Sequence, residues 1–366
     1  MAWIGISTRD EFRFSLGGLG RDAGLSPLAR GAGPGDAMMA QGTIMVEAQM
    51  PLEDRPITLL AWRRKSPWPT TFALRALPGK GIVMVLTQGD RVLHATLPHV
   101  VETQDERIRV SYAWDAPARK GRLALKLAGS LRISMVDVPA PPPIPLADLR
   151  AIVASPHERE IDAETVFIAV SDRVEPVGPQ TTLSLHAPVL TVDGYRPAGK
   201  IKAGDVIRSI DGRLAPVLAT VRQTVPAYGS FAPVILRAPY FGLREDVLVA
   251  PDQRLVIGGS EVEYLFGQEH VLVPARHLVN GTAAMRGTGS PTVTWTQIIL
   301  PQHEALIVAG TPMESLFLGR VRRKPEVLAN SLLASLDRAT LPEHAQSSYQ
   351  VLRQVEAITL AHRRAA

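Results

Sequence analysis

The sequence predicts a mainly β protein: an antiparallel β-sandwich at the N-terminus, a second all-β domain after it, and short helices at the C-terminus. Three observations carry this reading. Residues 41–139 break into short apolar stretches separated by polar turns, at the spacing of roughly 8–12 residues that marks a sandwich. A polyproline run, "VPAPPPIP" (138–145), interrupts that pattern and reads as a linker. Beyond it, apolar runs are again punctuated by Asp-Gly and Gly-Gly turns until about residue 320.

Taken in order, "GGLGRDAGLSPLARGAGPGD" (17–36) is too rich in glycine for a regular element and reads as a long surface loop. The strands follow as "GTIMVEAQM", "ITLLAWRR", "TTFALRAL", "GIVMVLTQ", "RVLHATLP", "RIRVSYAWD", "RLALKLAG" and "LRISMVDV". "LADLRAIVA" (146–154) has the spacing of a short helix. The tail carries Val327, Leu332, Leu333 and Leu336, then Val351, Leu352, Val355 and Leu360, as one or two amphipathic helices expected to pack back onto the second domain. The expected divisions are therefore 1–140 (sandwich), 141–164 (linker and short helix), 165–320 (second β domain) and 321–366 (helical tail).

Composition narrows the function classes. The chain has 366 residues, enough for two domains with separate cores, and 46% of them are apolar. No stretch reaches the ~18 consecutive apolar residues of a membrane span, and no basic n-region precedes a long apolar h-region. The expected location is therefore cytoplasmic, with non-classical export left open. There is no cysteine, which removes disulfides and thiolate chemistry together. The pI near 9.6 accompanies a net charge of only +5. Basic residues are interspersed with acids apart from "RVRRK" (320–324) and "HRR" (362–364). A coherent basic face is missing, so nucleic acid is not an expected partner. The excess of Arg over Lys fits a GC-rich bacterial genome. No cofactor is implied. His270 and His277, seven residues apart, are not at a metal-ligand spacing.

Four blocks in the second half resemble a known family. They are "TVDGYRPAGKIKAGDVIRSIDG" (191–212), "LREDVLVAPDQRLVI" (243–257), "EHVLVPARHLVNG" (269–281) and "WTQIILPQHEALIVAGTPMESLFLG" (295–319). Together they resemble a Hint domain, the fold shared by inteins and hedgehog autoprocessing domains, in the bacterial form that ends a larger protein. The N-terminal half resembles, by strand pattern alone, a concanavalin-A or laminin-G type jelly roll. That likeness implies a sugar-binding rim, for which Trp62, Trp68 and Trp114 are the candidate stacking platforms.

The Hint resemblance implies a self-cleaving chemistry that can be examined residue by residue. The family's first residue, Cys or Ser, attacks the preceding carbonyl and turns the amide into an ester. A Thr-x-x-His pair in the second block polarises that amide and protonates the departing nitrogen. Here the first position falls at or next to Thr182, with Ser184 the nearby alternative if the register slips. A threonine hydroxyl is hindered and fully protonated near neutral pH, so it needs an adjacent base. The Thr-x-x-His positions are Ala250 and Gln253. A glutamine donates hydrogen bonds but transfers no proton.

Two histidines are candidates to replace the missing base. His186 would share a strand face with Ser184. His303 occupies the position of a late-block histidine that the resemblance assigns to the second step, with Glu304 facing away from it. Splicing is not expected, because no His precedes Asn330 in "LANS". The expectation is a Hint protein deficient in autoprocessing and acting as a binding or scaffold module for a protein or glycan partner. The alternatives are an N-to-O acyl shift at Thr182 or Ser184, and carbohydrate binding through the sandwich. The sequence implies no oligomeric state.

Overall fold

The computed structural model describes residues 3–20, 37–50, 55–98, 107–287 and 289–365. Most of the glycine-rich stretch expected as a surface loop (21–36) lies outside these residues. The chain divides into two compact units, Met1–Val177 and Gly178–Ala366.

The first unit begins with β1 (Trp3–Ser7), β2 (Phe12–Phe14), β3 (Met38–Met39), β4 (Gln41–Gln49), β5 (Ile57–Arg64), β6 (Thr70–Leu77), β7 (Gly81–Gln88) and β8 (Arg91–Leu97). It continues through β9 (Arg107–Asp115), β10 (Lys120–Leu127), β11 (Ile133–Pro139), β12 (Ile144–Pro145), helix α1 (Leu146–Ala154), β13 (Arg159–Glu160) and β14 (Thr165–Ser171). Among the described residues, a seven-stranded sheet runs β11-β10-β9-β4-β14-β1-β2 and a five-stranded sheet runs β13-β5-β6-β7-β8, with β3 and β12 paired apart. Alternation decides which side chains go inside. Phe72, Leu74 and Ala76 of β6 and Ile82, Met84 and Leu86 of β7 are buried, while the residues between them are not. They share one core with Ile44, Val46, Val110, Tyr112 and Trp114 of the larger sheet.

The stretch 141–164 is not a linker, and residues 165–171 do not open the second domain. Ile144–Pro145 pairs with Met38–Met39, Arg159–Glu160 pairs with Ala61–Trp62, and β14 lies hydrogen-bonded between β4 and β1. The cause is burial. Leu146, Leu149, Ile152 and Val153 on one side of α1, and Ile168 and Val170 of β14, enter the sandwich core. Arg159 fixes the end of α1, donating to the carbonyls of Ile152 (2.5 Å) and Val153 (3.0 Å) and to Ser7 Oγ (2.7 Å). The sandwich thus needs about 177 residues rather than 140.

The second unit contains β15 (Leu183–Ser184), β16 (Pro188–Thr191), β17 (Gly194–Pro197), β18 (Val206–Arg208), β19 (Leu214–Pro216), β20 (Ala219–Pro226), β21 (Val234–Leu236), β22 (Val247–Val249) and β23 (Arg254–Gly258). After α2 (Ser260–Phe266) come β24 (His270–Pro274), β25 (Ala284–Arg286), β26 (Thr292–Ile299), β27 (Ala305–Val308), β28 (Thr311–Glu314), α3 (Pro325–Ala329), β29 (Gln350–Val351) and α4 (Gln354–Ala365). One sheet has the order β20-β26-β15-β22-β21-β25. The other runs β19-β18-β16-β27-β28-β23-β24-β29, with β17 on β16. The Asp-Gly turns behave as the sequence predicts: Gly194 (φ 101°) and Gly212 (φ 74°) hold backbone angles that side chains oppose.

The tail packs onto this unit, though with less helix than its periodicity predicts. Leu328, Leu333 and Leu341 join Val221, Ile299 and Leu318 in a small core, but only Pro325–Ala329 is helical there. Val351 belongs to β29, parallel to β24, and α4 starts later, burying Ala357 and Leu360 and leaving Val355 exposed. The basic run 320–324 is spent on this tail. Arg323 pairs with Glu343 at 2.7 Å and Arg322 donates to the Leu341 carbonyl at 3.2 Å. Among the described residues, no helix is long and apolar enough to cross a membrane.

Candidate functional site

The candidate site is centred on Thr182, at the entrance to β15. That two-residue strand is held on both sides, Leu183 opposite Thr296 of β26 and Val249 of β22. The Thr182 carbonyl accepts from Ala250 N–H at 2.8 Å. Ala250 opens the turn after β22, which Gln253 N–H closes by donating to the Ala250 carbonyl (3.0 Å). Both backbone ties place residues 182 and 253 side by side, although 71 positions separate them in sequence.

The Thr182 hydroxyl donates to Gln253 Oε1 at 2.6 Å and accepts from Gln297 Nε2 at 2.9 Å. Gln253 Nε2 donates in turn to the carbonyls of Arg254 (3.0 Å) and Glu314 (3.1 Å). Gln297 Oε1 accepts from Ile298 N–H at 3.0 Å. All three side chains are buried, and each amide has its donors and acceptors placed. The orientation matters: the threonine proton points at an amide oxygen, which hydrogen-bonds but does not remove it. Among the described residues, no histidine or carboxylate hydrogen-bonds this hydroxyl.

Gln297 was not singled out by sequence. The signal was present: a lone amide in the apolar strand "WTQIIL" must find partners once buried. Glu314, whose carbonyl receives the Gln253 amide, was missed for the same reason. Its carboxylate pairs with Arg254 Nη1 (2.9 Å) and stands 3.0 Å from His303 Nε2. Arg254 and Glu314 thus form an ion pair between β23 and β28.

The other sequence candidates fall elsewhere. Ser184 and His186 do not meet as side chains on one strand face. The strand ends at Ser184 and the chain turns, Ala187 N–H donating to the Ser184 carbonyl (3.1 Å) and His186 N–H to Ser184 Oγ (3.2 Å). The His186 ring is exposed. His303 is buried, but its partners are Ser348 and Glu314 rather than Thr182. Trp62 and Trp114 line the sandwich core at 3% and 0% exposure, so neither offers a ring face to a sugar. Trp114 donates to the Met39 carbonyl (3.0 Å) and stacks on Tyr112. Trp68 alone of the three is exposed, with the Arg64 guanidinium 5.4 Å from its ring. Among the described residues no group of three metal-ligating side chains converges. His277 is held well below the usual histidine range, at about 4, by burial and by Arg276 beside it.

Comparison with known proteins bears on the second unit. The family model described as Hint domain matches residues 182–320, starting on Thr182. No curated protein matches the chain significantly. Among solved structures, the MchDnaB-1 intein is 15% identical and covers 36% of this chain and 98% of its own, with a TM-score of 0.25. The Ruminococcus gnavus IT-sialidase CBM40 bound to α2,6 sialyllactose is 16% identical over 36% of this chain and 76% of its own, TM-score 0.26. The LG1-3 region of the laminin α2 chain is 9% identical over 76% of this chain and 53% of its own, TM-score 0.24. The part of this chain that carries Thr182, Gln253, Gln297 and His303 is a Hint domain.

Proposed function

We propose that this Hint domain no longer cleaves its own chain and serves as a binding or scaffold module. The observation that carries the reading is the hydroxyl of Thr182. It donates at 2.6 Å to the Gln253 amide oxygen and receives the Gln297 amide at 2.9 Å. Loss of general acid–base help costs about 10²–10⁴-fold in rate, and a threonine in place of a thiol adds to that. The two glutamines serve instead as structural hydrogen-bonding groups that tie β15, β26 and the end of β28 together. A protein partner is favoured over a glycan held by Trp62 or Trp114, since both indoles are inside the sandwich. Tyr264 on α2 and Val355 and Ile358 on α4 are the large exposed side chains of two helices that pack together.

The test is the intact mass of the purified full chain under denaturing conditions, after days with and without hydroxylamine. A single uncut mass in both is expected. Fragments ending between residues 180 and 184, absent from a Thr182→Ala, Ser184→Ala variant, would establish a surviving acyl shift and overturn the proposal.

A further inference from the structure

We propose that Ser348, His303 and Glu314 form a separate nucleophile–base–carboxylate site that takes acyl groups from small, activated esters. No side chain of the three hydrogen-bonds Thr182, and Glu314 meets that network only through its backbone carbonyl, so the idea is tested independently of the self-cleavage reading. Ser348 Oγ lies 3.3 Å from His303 Nδ1. Nδ1 also accepts the Ser348 backbone N–H (3.1 Å), which makes it the unprotonated nitrogen and puts the ring proton on Nε2. Nε2 stands 3.0 Å from Glu314 Oε1, a contact too oblique for a straight hydrogen bond but short enough to stabilise the imidazolium. Arg254 holds the same carboxylate oxygen at 2.9 Å. This is the order of roles a nucleophilic serine needs: a hydroxyl, a base with its lone pair facing it, and a fixed carboxylate behind the base.

The surroundings fit those roles. His303 and Glu314 are both 8% exposed, whereas Ser348 is at the surface where a substrate can reach it. The Phe317 ring meets the imidazole edge-on at 4.9 Å and fixes its plane. Nearby His344 has both ring nitrogens engaged, with Leu318 N–H and the Leu300 carbonyl at 3.2 Å each, and takes no part. The adjacent Ser347 hydroxyl is buried without a partner among the described residues, a donor not spent on the fold. At rest the Ser348 hydroxyl contacts the carbonyl of His303 itself. Rotation of the O–H bond alone redirects its proton to Nδ1. In the reaction Ser348 Oγ bonds to the ester carbonyl carbon while His303 Nδ1 takes its proton. The C–O bond to the alcohol then breaks and the alcohol leaves with that proton. Water, deprotonated by the same nitrogen, releases the acid and restores the serine.

The probe is a fluorophosphonate, which forms an O–P bond to a nucleophilic serine and expels fluoride. With the full chain, one phosphonyl group is expected on the peptide containing Ser348 and none in Ser348→Ala. Labelling should fall by about 10²–10⁴-fold in His303→Asn. Because His303 is buried, Ser348→Cys supplies a second readout that leaves the ring in place. Its iodoacetamide alkylation should persist well below the usual thiol range, as for a thiolate beside an imidazolium. No adduct on Ser348, or an alkylation pH profile of the Ser348→Cys variant like that of free cysteine, overturns the proposal.

Discussion

Placing a thiol at residue 182 and an imidazole at residue 253 is expected to produce cleavage, through the double variant Thr182→Cys, Gln253→His. Thr182→Cys gives up the hydroxyl bonds to Gln253 (2.6 Å) and Gln297 (2.9 Å), about 1 kcal/mol each net. Gln253→His gives up the amide bonds to the Arg254 and Glu314 carbonyls (3.0 and 3.1 Å). An imidazole N–H can remake one of them, so this change costs a further ~1–2 kcal/mol. The sum, about 3–4 kcal/mol, is below the ~5–15 kcal/mol that typical domains have, so the unit stays folded. A thiol is a few per cent thiolate at pH 7, where the threonine hydroxyl is fully protonated. The imidazole adds about 10²–10⁴-fold through proton transfer to the departing nitrogen. Hydroxylamine-dependent fragments breaking after Thr181 should appear in the double variant, far more slowly in Thr182→Cys alone, and not in the parent chain. Intact-mass spectrometry reads this directly, with hydrogen exchange of residues 178–365 as the control for folding. A double variant that remains whole while its amides stay protected would refute the assignment of residues 182 and 253 to the cleavage machinery.

Three further outcomes follow from other parts of the structure. Burial pushes the Glu175 carboxyl up to about 7, against a hydrogen bond from Ser171 Oγ (2.7 Å) that favours the ionised form. The fold therefore holds a proton there between pH 4.5 and 7 that the unfolded chain has lost, and the first unit loses a few kcal/mol as pH rises through this window. Urea midpoints followed by hydrogen exchange of residues 3–177 should fall from pH 5 to pH 8 in the parent and change less in Glu175→Gln. Trp114→Ala should cost the first unit ~3–5 kcal/mol, as large core aromatics do, whereas Trp68→Ala should leave its denaturation midpoint within experimental error. Ending the chain after residue 348 removes buried Leu352, Ala357 and Leu360 and uncovers β24. That loss, ~4–6 kcal/mol of apolar burial, should make the second unit markedly more sensitive to limited proteolysis.

Local pattern was legible wherever burial on one face wrote alternation into the sequence. The strands 57–64, 70–77 and 81–88 and the helix 146–154 coincide with the stretches read from residues alone. Domain limits were not legible. A proline run looks like a linker because it cannot build a ladder of its own, and only three-dimensional packing shows that Ile144 and Leu146 have a core to enter. Of the candidate site, the sequence offered members but not their contacts. Thr182 and Gln253 followed from block alignment, but that they would bond to each other, with Gln297 as third member, depends on pairings between strands distant in sequence. The Ser184–His186 pair failed because period-two reasoning was applied past the end of a two-residue strand. The tail misled in the opposite sense, since apolar spacing suited to a helix is realised at Gln350–Val351 as a strand.

The position of β14 bears on how the protein comes into being. It pairs Val46 with Ile168 and Gly5 with Val170, so it fills the gap between two strands synthesised more than a hundred residues earlier. During translation β1 and β4 emerge first, and each has an open edge until Thr165–Ser171 leaves the ribosome. The sheet thus closes with its last strand in an interior place, a late, long-range event of the kind that slows folding and leaves nascent edges open to other chains. It follows that the sandwich has no natural stopping point at the proline run. A shorter soluble piece of this protein would have to extend through Ser171, and a gene fragment ending near residue 140 would yield a sheet with its middle missing.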